Sequence, residues 1–387
     1  MWFSSTAMLA RARALGRPFR VLALESSADD TCAAIVDASR RVWSNVVVSQ
    51  NKIHRLTGGI QPMVALLAHQ RKMPSAVRRA LTDAKLEMAD IDGVAFTRGP
   101  GLPGCLSVCL NAAKTLAAAH NKPLVGVHHM QAHALTPNLT RDTPLPFPYL
   151  SLLVSGGHTM IVLVQSHVDF RVLCNTVDRS IGSTIDRVVT LLDIPWAANG
   201  PGPGLEKFCA TSAAEDSDAS KYDPPIPMPG KLAFSYAGLH SWVERTVAAA
   251  GGLEHINKLA VARAFQTAAF KQLQVKLQLV LRTHGHAVRH VVVSGGVASN
   301  AELRHRLKTS IRGPIEFVFP EPALCTGMLL DFVLSTPSIS PPIDNAAMIA
   351  WASMHRFLAE DHDDYDIDPV PTWSLDDLRN PPPPKVQ

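Results

Sequence analysis

Val21-Leu22-Ala23-Leu24-Glu25-Ser26-Ser27-Ala28-Asp29-Asp30-Thr31-Cys32-Ala33-Ala34-Ile35-Val36 reads as two apolar strands joined by a polar turn. The strands are Val21–Glu25 and Cys32–Val36; the turn, Ser26–Thr31, carries two adjacent acids. The same layout restarts at Tyr149. A strand to Val154 is followed by the tight turn Ser155-Gly156-Gly157-His158 and a second strand, Thr159–Val164. The residues differ but the order of elements repeats. A chain of 387 residues is long for one core, so a layout met twice predicts two α/β domains of like build.

Outward from these hairpins, the sequence alternates helix and strand. Pro62–Ala84 has the apolar spacing of an amphipathic helix. Ile91–Phe96 is a strand running into Gly99-Pro100-Gly101-Leu102-Pro103-Gly104, followed by a helix to about residue 120 and a strand over Leu124–Val127. Beyond the second hairpin, helices are expected over 180–193, 204–214 and 256–283, with a loop rich in Pro, Asp and Ser after the second. His290–Val293 is a strand ending in Ser294-Gly295-Gly296-Val297, with a helix from about Asn300 and a last one over Asn345–Leu358. The tail from Asp361 is acidic and proline-rich, and is expected to be mostly unstructured. Such alternation predicts mostly parallel sheets covered by helices.

Composition sets bounds. Hydrophobic residues make up 47% and charged ones 18%, enough apolar surface to fold without disulfide or metal staples. A net charge of +4 permits a nucleic-acid partner without demanding one. The six cysteines form no CxxC pair and none has a histidine at zinc-site spacing, so they read as reduced thiols. No apolar run has the length of a membrane span, and no membrane partner is expected. Residues 1–20 hold Arg11, Arg13, Arg17 and Arg20 and no acid, the composition of a mitochondrial presequence.

Three constellations carry chemistry. His129 and His133 stand at i and i+4, which puts both imidazoles on one helix face within reach of one metal ion. The residue after His129 is Met130, so the general base of a zinc protease is missing. Ser155-Gly156-Gly157 and Gly295-Gly296 are turns after strands, where bare backbone N–H groups can approach phosphate oxygens. Acids lie near them: Asp29 and Asp30 in the first hairpin, Asp186 on a helix and Glu206 after Gly202-Pro203. A repeated fold with such turns points to a nucleotide cleft between the two domains.

Seven strings in order resemble one family. They are Leu24–Thr31, Gly99–Leu102, Val125–His133, Leu153–Thr159, Phe234–Leu239, Ser294–Asn300 and Asp344–Ala350. Together they resemble the tRNA threonylcarbamoyltransferase family, once called O-sialoglycoprotein endopeptidases. The resemblance implies an actin/sugar-kinase-like fold. It implies transfer of threonylcarbamoyl from its adenylate, made by a separate synthase, to the N6 of the adenosine next to the anticodon in tRNAs reading ANN codons. By that resemblance His129, His133 and Asp344 match the ligands of one divalent metal, iron or zinc. Leu153, Val154, Ser155, Gly156, Gly157, Asp186, Gly202, Glu206 and Asn300 match adenylate-binding positions, and Asp29 and Asp30 match the acidic turn associated with catalysis. With the presequence, the resemblance points to the mitochondrial matrix branch, acting as a homodimer.

The expected organisation is a presequence over 1–20, a first domain over 21–148 and 345–375, a second over 149–344 and a disordered tail over 376–387. One segment departs from the family. There Leu-Cys-Thr runs directly into Asp-Asn-x-Ala-Met-Ile-Ala, whereas here Gly327–Ile343 separates Thr326 from Asp344. The segment has neither helical nor strand period. Gly-Met-Leu can be encoded with an intron donor and Ile-Asp with an acceptor, and splicing between them restores the motif. Residues 327–343 are therefore expected to be a retained intron.

Overall fold

β1 (Arg20–Glu25) and β2 (Asp30–Asp37) form the first antiparallel hairpin, with Arg20 opposite Asp37 and Glu25 opposite Cys32. The computed structural model describes residues 16–50, 53–54, 60–197, 200–211, 221–311, 313–319 and 346–380. The first 15 residues of the expected presequence, the 327–343 segment, Asp344 and the tail end 381–387 lie outside the described residues. The chain divides into two units. The first takes the described residues up to Leu145, Gln165–Phe170 and those after Phe319; the second takes Pro146–Val164 and Arg171–Phe319.

In the first unit β3 (Val42–Ser49), β4 (Gly93–Gly99) and β5 (Leu124–His128) complete a five-stranded sheet of order β3-β2-β1-β4-β5. β4 runs parallel to β1 and β5 parallel to β4. Helices α1 (Pro62–Ala84) and α2 (Pro103–Ala119) each begin on a proline, whose fixed φ and missing N–H suit a first helical turn. Leu22, Leu24, Val94 and Phe96 pack with Met73, Ala76 and Ala113 of these helices. Side chains alternate across a strand, so Val21, Gly93 and Ala95 look the other way. That face is covered by α9 (Ala346–Leu358), whose Phe357 ring leaves no room for a side chain at Gly93. α3 (His129–Thr140) follows β5 directly and packs along α9.

The second unit repeats the plan. β6 (Tyr149–Val154) and β7 (Thr159–Val164) are the antiparallel hairpin. With β8 (Phe170–Thr176), β9 (Ala233–Phe234), β10 (His290–Ser294) and β11 (Glu316–Val318) they make a sheet of order β11-β10-β6-β7-β8-β9. β10 is parallel to β6, as β4 is to β1. The helices are α4 (Ile181–Leu191), α5 (Pro201–Cys209), α6 (Ala237–Ala249), α7 (Lys258–His284) and α8 (Ala301–Ser310). Leu150, Leu152 and Val154 pack with Ile185, Val188, Phe265 and Phe270.

Two expectations are corrected. The helix read over 204–214 is α5, which starts at Pro201 and stops at Cys209. The tail read as unstructured from Asp361 is held to residue 380. Arg356 grips Asp361 and Asp363 at 2.8–3.1 Å, and the Asp363 and Val370 N–H groups donate to the carbonyls of Leu124 and Arg98. Trp373 and Leu375 are buried. Acidic composition suggested a solvated tail, but one guanidinium and the β4–β5 backbone give these acids and amides partners. Among the described residues no helix is long and apolar enough to cross a membrane.

Candidate functional site

β1 ends on Glu25, an acid 4% exposed, and a buried carboxylate needs partners. Ser27 N–H donates to Oε1 at 2.5 Å, the Thr97 hydroxyl from β4 donates to Oε2, and His129 Nδ1 lies 3.2 Å from Oε2. Burial alone would raise this carboxyl; His129 and these hydrogen bonds outweigh it and hold the pKa at about 2. The carboxylate therefore takes a proton donor from His129, which leaves Nε2 as that ring's lone-pair nitrogen.

One helical turn on, His133 Nε2 sits 3.2 Å from His129 Nε2, with the rings edge to face. Two metal–nitrogen bonds of about 2.0–2.1 Å at a tetrahedral angle place their nitrogens about 3.3 Å apart. The pair thus fits two ligands of one divalent ion, with Glu25 behind the first to fix its tautomer. Among the described residues no group of three His, Cys, Asp or Glu side chains completes a site, and Asp344 is not among them. His128 is different: Nδ1 accepts from Met130 N–H as the α3 cap while Nε2 donates to the Trp373 carbonyl.

Asp29 and Asp30 lie at the head of the same hairpin, both half-buried. Burial raises the Asp29 carboxyl above its ordinary value, against the pull of His54 and His69. The loop Gly99–Leu102 closes on this turn. Leu102 N–H donates to Ser27 O at 2.9 Å, and a Cβ at Gly101 would stand 2.7 Å from that oxygen. The glycines at 99 and 101 are thus explained by packing, since Gly99 meets the Val370 carbonyl in the same way.

In the second unit the turn after β6 is bare. Ser155 N–H donates to His158 O at 2.9 Å and His158 N–H to Ser155 Oγ at 3.1 Å, while a Cβ on Gly156 or Gly157 would meet nothing within 4 Å. α4 abuts the turn from below: Ser180 Oγ donates to Gly156 O at 2.5 Å, and a Cβ at Gly182 would lie 2.5 Å from Ser155 O. Gly295, at φ 102°, presses on the Val154 carbonyl, so the turn after β10 lies beside the turn after β6. The turn after β6, open at its two glycines and set on the N-terminus of α4, lies at the carboxyl end of a strand parallel to β10, an arrangement able to receive an anion.

Of the other expected positions, Leu153 and Val154 are buried in the sheet and position the turn through the strand. Asn300 caps α8 by accepting from Leu303 N–H at 2.9 Å, and Glu206 accepts from Ala301 N–H at 2.7 Å, so the structure brings these two together. Gly202 faces open space in the first turn of α5, and Asp186 lies exposed on α4.

Comparison with known proteins places this geometry. Residues 41–328 match the model of the family described as TsaD, tRNA N6-adenosine threonylcarbamoyltransferase. A tRNA N6-adenosine threonylcarbamoyltransferase of Brucella anthropi is 37% identical over 374 residues, covering 94% of this chain and 97% of that one. The chain belongs to this family. Its fold is the actin/sugar-kinase-like one of two distant structures. Component A of the (R)-2-hydroxyglutaryl-CoA dehydratase of Acidaminococcus fermentans has a TM-score of 0.51 and 13% identity, over 88% of this chain and 99% of that one. HypF of T. kodakarensis has a TM-score of 0.56 and 12% identity, over 89% of this chain and 48% of that one.

For a member of the threonylcarbamoyltransferase family, reading residues alone missed Glu25, Thr97 and His69. An acid closing an otherwise apolar strand was the available signal for Glu25, because such a group is buried only with partners. His69 stands between Ala68 and the polar run Gln70-Arg71-Lys72 of α1, where a lone histidine is usually passed over.

Proposed function

We propose that the chain transfers the threonylcarbamoyl group from threonylcarbamoyl-adenylate to the N6 of the adenosine next to the anticodon, in mitochondrial tRNAs reading ANN codons. The observation that carries the reading is the His129–His133 pair backed by Glu25, set in a chain that aligns with the Brucella anthropi transferase over 94% of its length. His129 and His133, with Asp344 two residues ahead of α9, would hold one iron or zinc ion. Such an ion, when bound, supplies positive charge at the carbonyl oxygen under attack. Glu25 orients His129. The Ser155–Gly157 turn on the α4 N-terminus holds the adenylate phosphate, which departs with AMP. Glu206 has a second carboxylate oxygen for a ribose hydroxyl beside Asn300. Asp29, with its raised pKa, is matched to take the proton that N6 loses as the new N–C bond forms.

The experiment is direct. Purified protein is incubated with threonylcarbamoyl-adenylate and unmodified tRNA, and the nucleosides are analysed. Threonylcarbamoyladenosine is expected. Its absence, with steady ATP turnover in the absence of tRNA, would instead make the chain a phosphotransferase of the same fold. We further propose that residues 1–20 direct the chain to the matrix, that it acts as a homodimer, and that 327–343 is a retained intron. N-terminal sequencing of the mature protein, its sedimentation, and sequencing of the transcript across Thr326 and Asp344 test these in turn. Intact Met1 in a cytosolic pool, a monomer, or a message that keeps all 17 codons in an active protein would refute them. The family match ends at residue 328, at the head of that segment, which supports the last.

A further inference from the structure

His69 on α1 is fully buried, yet both its nitrogens are engaged with the acidic turn. Nε2 lies 3.1 Å from the Ala28 carbonyl oxygen and Nδ1 lies 2.8 Å from the Thr31 hydroxyl. A carbonyl only accepts, so Nε2 carries the hydrogen and donates it. Nδ1 is then the bare nitrogen, and the Thr31 hydroxyl donates to it. Burial holds the ring below the ordinary histidine pKa, against Ala28 O, Glu25 and Asp29, which keeps it neutral in that tautomer. One planar ring therefore spans residues 28 and 31, and the two residues between them are Asp29 and Asp30.

Packing alone does not ask for this side chain. The neighbouring inward positions of α1 are Ala65, Ala68, Met73 and Ala76, all apolar, and an imidazole is buried at a desolvation cost that these avoid. The polar ring matches two polar groups of a turn that carries a heavy load of acid. It must present two acids side by side, with Glu25 a few residues away.

We propose that His69 is a positioning residue of the transfer reaction, clamping Ala28 and Thr31 so that Asp29 and Asp30 keep the geometry the reaction requires. The kinetic side of this rests on the transferase reading above; the clamp itself is readable without it. A turn released by about 1 Å is expected to slow the chemical step by about 100-fold.

The test uses the full chain. His69→Ala should lower kcat by about 100-fold while the KM for tRNA and the bound metal stay as in the wild type. His69→Gln, whose amide offers one donor and one acceptor, should recover most of the loss. Thr31→Val should lower kcat as well, and the His69→Ala/Thr31→Val double variant should be no slower than His69→Ala, because one clamp is broken only once. If His69→Ala does not fold, His69→Gln and Thr31→Val carry the kinetic arm. In protein labelled with 15N-histidine, the His69 signals, identified by their loss in His69→Gln, should show a neutral ring protonated at Nε2. The Nδ1 signal should move in Thr31→Val. An unchanged kcat in folded His69→Ala, a rise in KM alone, additive losses, no rescue by Gln, or a ring protonated at Nδ1 would each overturn the clamp. Should the wild type form no modified nucleoside, the transferase reading falls, while the nitrogen signals still decide the clamp.

Discussion

The turn after β1 and the turn after β6 occupy the same place in two copies of one plan, and they are built oppositely. Each joins an antiparallel hairpin whose first strand has a parallel neighbour on its other side. In the first unit the turn is crowded with ionisable side chains: Glu25 and Asp29, with His69 and His129 against them. In the second the centre of the turn is two glycines, and what it offers there is main chain and open space. The shared frame sets where a ligand can approach; the residues of the turn set whether side chains or main chain meet it. Chemistry that moves protons needs the first kind of turn, and an anion that is only held is served by the second.

Removing the second histidine of the pair beside the crowded turn should separate the two most sharply. His133→Ala is expected to reduce transfer by about a thousandfold and to empty the metal site, with affinity for an ATP analogue at the glycine turn unchanged. Metal analysis and calorimetry check both halves. A variant that keeps its full metal content would break the comparison at its root.

Acid should loosen the first unit through two buried histidines. His355 of α9 and His167, stacked at 5.8 Å, are held by burial well below the ordinary 6.5, at about 3 and about 4. At pH above 6.5 neither folded nor unfolded chain protonates them, and stability is full. Below 6.5 the unfolded chain binds protons that the folded chain does not, until pH falls to those lower values, so stability declines across that window. At ~1.4 kcal/mol per pKa unit, the nearly inaccessible His355 should cost roughly 3 kcal/mol by pH 4. Urea denaturation at several pH values measures it, and His355→Leu should flatten the profile. A wild-type curve that is already flat would contradict the assignment.

Smaller effects sharpen the glycine turn itself. Gly182→Ala drives a Cβ to 2.5 Å from the Ser155 carbonyl and should destabilise the protein by about 1–3 kcal/mol. Gly156→Ala projects into open space, so its stability should stay within about 0.5 kcal/mol of the wild type. Its affinity for the ATP analogue should nevertheless fall by about tenfold, because the methyl fills the phosphate's approach. Thermal denaturation and calorimetry separate the pair; equal behaviour of the two variants would show that the turn is no cradle.

Much of this plan could be read from residues because its signals are local. Both hairpins, α1 and α7 announce themselves by period and by the polar turns that bound them. α6 did not, since its start is capped by Asp178, some sixty residues earlier, through the Tyr236 N–H at 2.8 Å and the Ser235 hydroxyl at 2.5 Å. The tail to residue 380 was misread for the same reason: its partners Leu124 and Arg98 are distant in sequence. The histidine pair was legible from a spacing of four, and the glycine turns from composition. Glu25 and His69 were not, because their roles exist only once β4, α1 and α3 have come together around β1. The glycines at 99 and 101 serve close packing against Val370 and Ser27, partners that sequence spacing does not reveal.

The return of α9 and the tail to the first sheet also fixes an order of synthesis. A growing chain makes β1 to β5 first, yet Val21, Gly93 and Ala95 on one face have no cover until Ala346–Leu358 has been made. The second unit is encoded almost wholly inside that interval, so its core is complete while the earlier one still waits. The unit whose strands are made earlier is therefore the one completed later, after all of the second has been made.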